Sequence, residues 1–263
     1  MKILFATSEA APYAKSGGLG DVAGALPPEL NKIKDNEVCI VLPYYGTMKN
    51  NPDLDAEYVT SFYMPLAWRG TYVGVFKKVI KNKGVGRNKR ADLTYYFIDN
   101  EYYFCRNSNP YGYVDDGERF AYFSRACMDA MVALEFIPDV IQCNDWQTAP
   151  VPIFLKAWYS HRFPNARTMF TIHNVEYQGW ASGYFFDDVL ALPWEYRRCL
   201  DMHGQVNVMK GAIEMADQVT TVSQTYAREL MYSYYAHGLD SILANAAWKL
   251  SGITNGIDAG TFN

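Results

Sequence analysis

Apolar positions fall into two rhythms along this chain. Short unbroken apolar runs cover Lys2–Ser8 and Val38–Leu42, the second stopped by Pro43. Runs of that length, bounded by turn residues, predict strands buried on both faces. Between them lies a loop with Pro12, Gly17, Gly18 and Gly20, and a helical pattern from Leu19 through Leu30. The pattern changes between Tyr58 and Ile98. Tyr72–Phe76 and Leu93–Ile98 read as strands flanking a polar, basic stretch with Gly84 and Gly86. That arrangement predicts a β-hairpin insertion.

From Gly117 the apolar residues Phe120, Phe123, Cys127, Ala130, Met131 and Leu134 recur at helical spacing, and the helix stops before Pro138. A strand opens at Val140–Ile141 and ends near Asn144–Asp145. A helix is predicted from Thr148 to Tyr159 and a strand over Thr168–Ile172. Helices follow around Trp194–Asp201 and Gln205–Ala216, then a strand over Val219–Val222. Ser223 is placed to cap a helix over Gln224–Tyr232. A helix over Leu239–Trp248 and a short strand at Ile253 complete the order. The alternation implies an α/β fold: a Rossmann-like, mostly parallel sheet with helices on both faces. Residues 1–263 read as one domain carrying the hairpin. In such sheets ligands bind at the carboxyl ends of the strands, near the point where strand order reverses.

Composition narrows the function classes. The chain has 263 residues, 49% hydrophobic and 20% charged, which excludes wholesale disorder. Its net charge of -4 argues against a dedicated nucleic-acid binder, whose affinity rests on excess positive charge. Five scattered cysteines with no CxxC pair fit a reducing compartment. No apolar run is long enough for a signal peptide or membrane span, so a cytoplasmic protein is expected. Aromatics reach 16%, which serves a core and also suits stacking on sugar rings.

Four segments carry candidate chemistry. Lys15-Ser16-Gly17-Gly18-Leu19-Gly20-Asp21 joins the first strand to the first helix, where glycine amides and a helix N-terminus favour an anion and Lys15 adds a formal charge. A Gly-rich turn with a surface lysine explains the same residues more blandly. It is no nicotinamide fingerprint: about eight residues separate strand and glycines, and no acidic residue ends the second strand. Asn144-Asp145-Trp146-Gln147 lies at a strand's carboxyl end, where Asp145 can accept sugar hydroxyls or cap the helix near Thr148. Thr171-Ile172-His173-Asn174 sits at another strand end, while His161, His203 and His237 read as structural. Thr254-Asn255-Gly256 is a turn whose Asn255 amide can also reach a ligand. The basic stretch Lys77, Lys78, Lys81, Lys83, Arg87, Lys89, Arg90 reads as a solvated hairpin tip. No HxxxH or HExxH pair and no Gly-x-Ser-x-Gly elbow occurs, and Asp115-Asp116 reads as a helix cap.

These segments resemble, in order and over nearly the whole chain, the N-terminal domain of bacterial glycogen synthases and plant starch synthases. The matching residues are Ser8-Glu9 with Pro12, Lys15–Val22, Asp115–Phe120, Asn144–Trp146, Thr171–Asn174 with Tyr177-Gln178-Gly179, His203–Asn207 with Met209–Gly211, Thr221–Ser223 with Tyr226-Ala227, and Asn255–Asp258. The resemblance implies a glucosyltransferase that moves glucose from ADP-glucose to the non-reducing end of an α-1,4-glucan with retention of configuration. It implies two Rossmann-like domains around a cleft, of which 1–263 is the first. Lys15 with the Gly17 and Gly18 amides would face the donor pyrophosphate, and His173 would position the donor glucose. Asn255 would bind or adjoin that sugar, and Asp145 and Asp21 are candidates for sugar or acceptor contact. No metal, no cofactor beyond the substrate and no covalent nucleophile is implied. Nucleic acid and membrane are not expected as partners. Gln147 stands where the family usually has His and receives no role. The nucleotide pocket and its phosphate-binding Arg and Lys would lie in a C-terminal domain absent from these residues, so the chain alone is expected to be inactive. Two alternatives stand beside this: a non-catalytic glucan-binding module, and a related retaining transferase using UDP-glucose.

Overall fold

The computed structural model describes residues 1–81, 91–106 and 109–256. The first unit is β1 (Lys2–Ala6), α1 (Gly18–Lys32) and β2 (Glu37–Pro43), followed by the short α2 (Gly46–Lys49). β3 (Glu57–Leu66), β4 (Arg69–Ile80) and β5 (Leu93–Asp99) come next, then α3 (Glu101–Phe104) and the long α4 (Asp116–Ala133). β6 (Val140–Asn144), α5 (Pro150–Phe154) and β7 (Arg167–Ile172) continue the alternation. A small three-stranded sheet forms from β8 (Trp180–Ala181), β9 (Asp201–Met202) and β10 (Gln205–Asn207), with α6 (Arg197–Leu200) before β9. The chain closes with α7 (Val208–Met215), β11 (Gln218–Thr221), α8 (Gln224–Glu229), α9 (Ser233–Ala236), α10 (Asp240–Asn245) and β12 (Leu250–Gly252).

Nine strands form one sheet in the order β12-β11-β7-β6-β1-β2-β5-β4-β3. All are parallel from β12 to β5, and β4 and β3 run antiparallel at the far edge. The central strands β1, β2 and β6 are buried along almost their whole length, as their unbroken apolar runs require. β3 is half exposed and mixes polar with apolar positions, as an edge strand can. From β1 the chain first steps outward to β2; later, from β6, it steps the other way to β7. Right-handed crossovers in opposite directions put α1 on one face and α5 on the other. The order therefore reverses between β1 and β6, and the carboxyl ends of these strands open a crevice there.

Aromatic richness is largely core. Phe5, Phe97, Phe104, Phe120, Phe123, Phe154, Phe170 and Phe186 are all essentially inaccessible. Trp68, Tyr184, Trp194, Tyr234 and Trp248 remain exposed.

Several expectations are corrected. Tyr72–Phe76 and Leu93–Ile98 do pair antiparallel, within β4 and β5, but β5 also pairs parallel with β2. The expected hairpin is thus built into the main sheet. The tip residues Lys83, Arg87, Lys89 and Arg90 lie outside the described residues, whereas Lys77, Lys78 and Lys81 pair with Glu57, Asp55 and Asp92. Gln205–Asn207 is a strand, held antiparallel by β8 and β9, and the helix starts only at Val208. The segment after Asp145 is a 3-10 turn over Trp146–Thr148, then α5, then a π-helical stretch over Leu155–Tyr159. Pro150 and Pro152 sit in the first turn of α5, where their missing N–H groups have no intrahelical acceptor to lose. The last strand ends at Gly252, with the Ile253 amide still donating to the Thr221 carbonyl. Gly252 is required there, because an added Cβ would lie 2.2 Å from the Ser223 carbonyl oxygen. Ile257 and Asp258 lie outside the described residues.

Candidate active site

The carboxyl ends of β1, β6 and β7 bring Ser8-Glu9, Asn144-Asp145 and His173-Asn174 together. Parallel pairing sets Asn144 opposite Thr171, two residues short of His173. Asn144 Nδ2 donates to the Ala6 carbonyl at 2.9 Å, so its Oδ1 faces His173 Nε2 at 3.0 Å. An oxygen there can only accept, so Nε2 carries the proton and Nδ1 keeps its lone pair. Thr148 Oγ1 accepts from the Asn144 amide at 2.6 Å and returns a hydrogen bond to its carbonyl, fixing the strand end. Burial pushes His173 down to about 4, opposed by the charge of Glu9. The ring is therefore neutral near pH 7: Nε2–H is committed to Asn144 and Nδ1 is an acceptor.

Of the two readings of Asp145, the helix cap does not hold. Its side chain makes no capping hydrogen bond. Instead Oδ1 accepts the His173 amide at 2.7 Å and the Asn174 amide at 3.2 Å. The backbone turns this side chain across to β7 by adopting φ 55 and ψ -177. That region is essentially reserved for glycine, and occupying it costs about 1–3 kcal/mol. The Asp145 amide, bonded to the Thr171 carbonyl at 3.0 Å, helps hold it. Burial raises the carboxyl to about 7; the two amides pull it down and the Glu9 charge pushes it further up.

The Gly-rich loop is organised by a residue to which the sequence assigned no role. Glu9, only 3% exposed, accepts from the Ser16 amide, the Ser16 hydroxyl at 2.8 Å, the Gly17 amide at 3.2 Å and the Tyr111 hydroxyl at 2.6 Å. The Gly17 amide is thus committed inward, correcting the expectation that it stands open to a ligand. Gly18 opens α1. First-turn amides lack intrahelical acceptors. Lys15 Nζ meets Asp21 Oδ1 at 2.7 Å, so two of the expected site residues pair with each other at the partly exposed rim. Gly20 allows this, since a Cβ there would lie 2.9 Å from Lys15 Cγ. Asn255 lies exposed just beyond β12 and, among the described residues, takes no part in these hydrogen bonds.

Other quoted segments are structural. Asp115 is no side-chain cap: it forms a bidentate pair with Arg106, both contacts 2.7 Å, which holds its carboxyl below the usual range. Asp116 accepts the Gly112 amide at 2.7 Å and pairs with the buried Arg119. Asn207 caps α7 and donates to Gln178 Oε1 at 2.6 Å, joining two of the segments in the core. His203 and His237 occupy left-handed turn positions before Gly204 and Gly238. Gln147 is buried, and among the described residues its Oε1 has no hydrogen-bond partner. Among the described residues no three His, Cys, Asp or Glu side chains gather as a metal site, and no helix is long and apolar enough to cross a membrane.

A family model described as the starch synthase catalytic domain matches residues 2–245. The chain is 43% identical over 267 residues to a glycogen synthase of Geobacillus stearothermophilus, covering 100% of this chain and 53% of that protein. It is 44% identical over 262 residues to a glycogen synthase of Desulfitobacterium hafniense, covering 98% of this chain and 54% of that one. Among solved structures it is similar to the catalytic domain of starch synthase IV from Arabidopsis thaliana bound to ADP and acarbose. That match has TM-score 0.85 and 32% identity, over 100% of this chain and 52% of that one. The chain spans about half the length of the relatives it matches.

Proposed function

The chain belongs to the starch synthase catalytic-domain family, and on that premise we propose that the crevice between β1 and β6 is part of a retaining glucosyltransferase site. The donor is ADP-glucose and the acceptor is the non-reducing end of an α-1,4-glucan: glycogen, starch or a maltooligosaccharide. The protein acts in the cytoplasm and uses no cofactor beyond its substrate. Because the relatives are about twice as long, the nucleotide pocket is assigned to a second domain outside these residues. The chain alone then lacks one wall of the cleft and the positioning that wall provides.

The observation that carries this reading is the convergence, at the reversal of strand order, of a neutral His173 in one tautomer with a cation-bearing Gly-rich loop. A neutral ring whose free nitrogen only accepts is suited to take a hydrogen bond from a sugar hydroxyl. It is unsuited to protonate a leaving group near pH 7, so His173 positions the donor glucose. Lys15 and the Gly18 amide meet the pyrophosphate, where negative charge grows as ADP departs. Asp21 holds Lys15 until the phosphates compete for it. Asp145 sets the His173 and Asn174 amides and thereby the ring. Asn255 approaches the sugar from the β12 side.

Substitutions in the protein expressed from the full reading frame test these roles. His173→Ala and Lys15→Ala are each expected to lower kcat/KM for ADP-glucose by about 100-fold, the usual cost of one oriented group at developing charge or substrate. Retention of glycogen binding by both variants is expected. Unchanged turnover in either one removes that residue from the site.

A further inference from the structure

The Glu9 carboxylate is surrounded by four donors on two stretches of chain. Its Oε2 takes the Ser16 and Gly17 amides, and its Oε1 takes the Ser16 and Tyr111 hydroxyls. Paired successive amides are what a Gly-rich loop would show to a phosphate. Here a carboxylate of the protein itself fills that concavity. Tyr111 is fixed in turn. Its hydroxyl lies 2.7 Å from Ser8 Oγ, and Tyr45 donates to the Ser8 carbonyl at 2.9 Å. The flanking residues are clamped by α4: Arg119 donates to the Pro110 carbonyl at 3.1 Å, and Asp116 accepts the Gly112 amide at 2.7 Å. The Asp115–Phe120 segment thereby reaches the Gly-rich loop through Tyr111 and Glu9, which are 102 positions apart in the chain.

We propose that Glu9 is a positioning residue: its carboxylate anchors the Ser16 and Gly17 amides inward, so that Lys15 and the first-turn amides of α1 are what the loop presents to the crevice, with Tyr111 as the lock that couples this geometry to α4. The part concerning the crevice rests on the phosphate role proposed above; the anchoring does not.

Backbone NMR on the 15N-labelled chain separates the two. Amide exchange at Ser16 and Gly17 reports anchoring, and titration with inorganic pyrophosphate reports presentation. Glu9→Ala is expected to speed exchange at both amides by at least about tenfold, with Phe5 and Ala126 unchanged, since two charge-assisted hydrogen bonds are lost. It is expected to weaken pyrophosphate binding by about tenfold. Glu9→Gln should rescue both to within about threefold, because its amide oxygen still accepts the two N–H groups and its NH2 donates to the hydroxyls. If Glu9→Ala does not fold, Tyr111→Phe is measured, and about threefold faster exchange at Ser16 is expected from one lost partner. Unchanged exchange at Ser16 and Gly17 in the variant measured overturns the proposal. So does tighter pyrophosphate binding by Glu9→Ala, which would make the carboxylate an occluding stand-in for the anion. Accelerated exchange with no pyrophosphate binding by the protein expressed from the full reading frame upholds the anchoring and refutes the phosphate role.

Discussion

Asp145→Asn is expected to stabilise the chain relative to the parent as pH rises to neutral and above. Burial raises this carboxyl from 3.8 to about 7. A carboxyl that holds its proton more tightly folded than unfolded favours the native state at low pH. That advantage is whole below pH 3.8, declines as pH rises, and is gone above about 7, where the buried group is ionised. At about 1.36 kcal/mol per pH unit, the difference between the two values corresponds to about 4 kcal/mol. Relaxation around the ionised group makes that a ceiling. Asn preserves the shape and leaves an oxygen to accept the His173 and Asn174 amides. It cannot ionise. Urea unfolding followed by tryptophan fluorescence, from pH 4 to pH 8, gives the difference directly. The variant's advantage over the parent should grow by about 2–4 kcal/mol across this range, or roughly 4–8 °C in Tm for a chain of this size. A difference constant to within about 0.5 kcal/mol would refute the assignment of Asp145 as a carboxyl buried at a cost.

The neighbouring histidine gives the opposite slope. His173 falls to about 4 from 6.5, so the unfolded chain binds a proton that the native site refuses, and stability is lost as pH drops from about 6.5 to 4. His173→Gln should remove about 3 kcal/mol of that acid-side loss; an unchanged acid limb in urea titrations counts against a neutral, partly buried ring. Asn207→Ala removes the cap on Lys210 and leaves the buried Gln178 Oε1 without its partner. It should cost about 2–4 kcal/mol in the same assay, and a loss under about 0.5 kcal/mol would show that this pair is not a core link.

The parallel centre of the sheet was legible because β1, β2 and β6 are buried on both faces and so carry no polar alternation. The positions of Asp145 and His173 at strand ends followed from that. Their partners did not. Asn144 faces His173 only because β6 and β7 are neighbours in register, and single-sequence periodicity does not say which strands adjoin. Asp145 looked like a helix cap because cap preference is local, whereas its φ of 55 is imposed by contacts across two strands. Gln205–Asn207 is too short to display a period of two, and only its pairing with β8 and β9 makes it a strand. Glu9 was visible as a residue next to a matching Ser, but its role depends on a loop that doubles back and on Tyr111, far along the chain. The direction of the Gly17 amide, inward to Glu9, is likewise a property of the folded loop, one that glycine content cannot reveal.

Transfer of labelled glucose to glycogen by the protein expressed from the full reading frame, with ADP-glucose and UDP-glucose compared as donors, bears on the whole assignment at once. Transfer from ADP-glucose is predicted, with retained α-configuration and none from residues 1–263 alone. Glycogen binding without transfer from either donor would contradict it and leave a glucan-binding module; transfer from UDP-glucose only would contradict the donor.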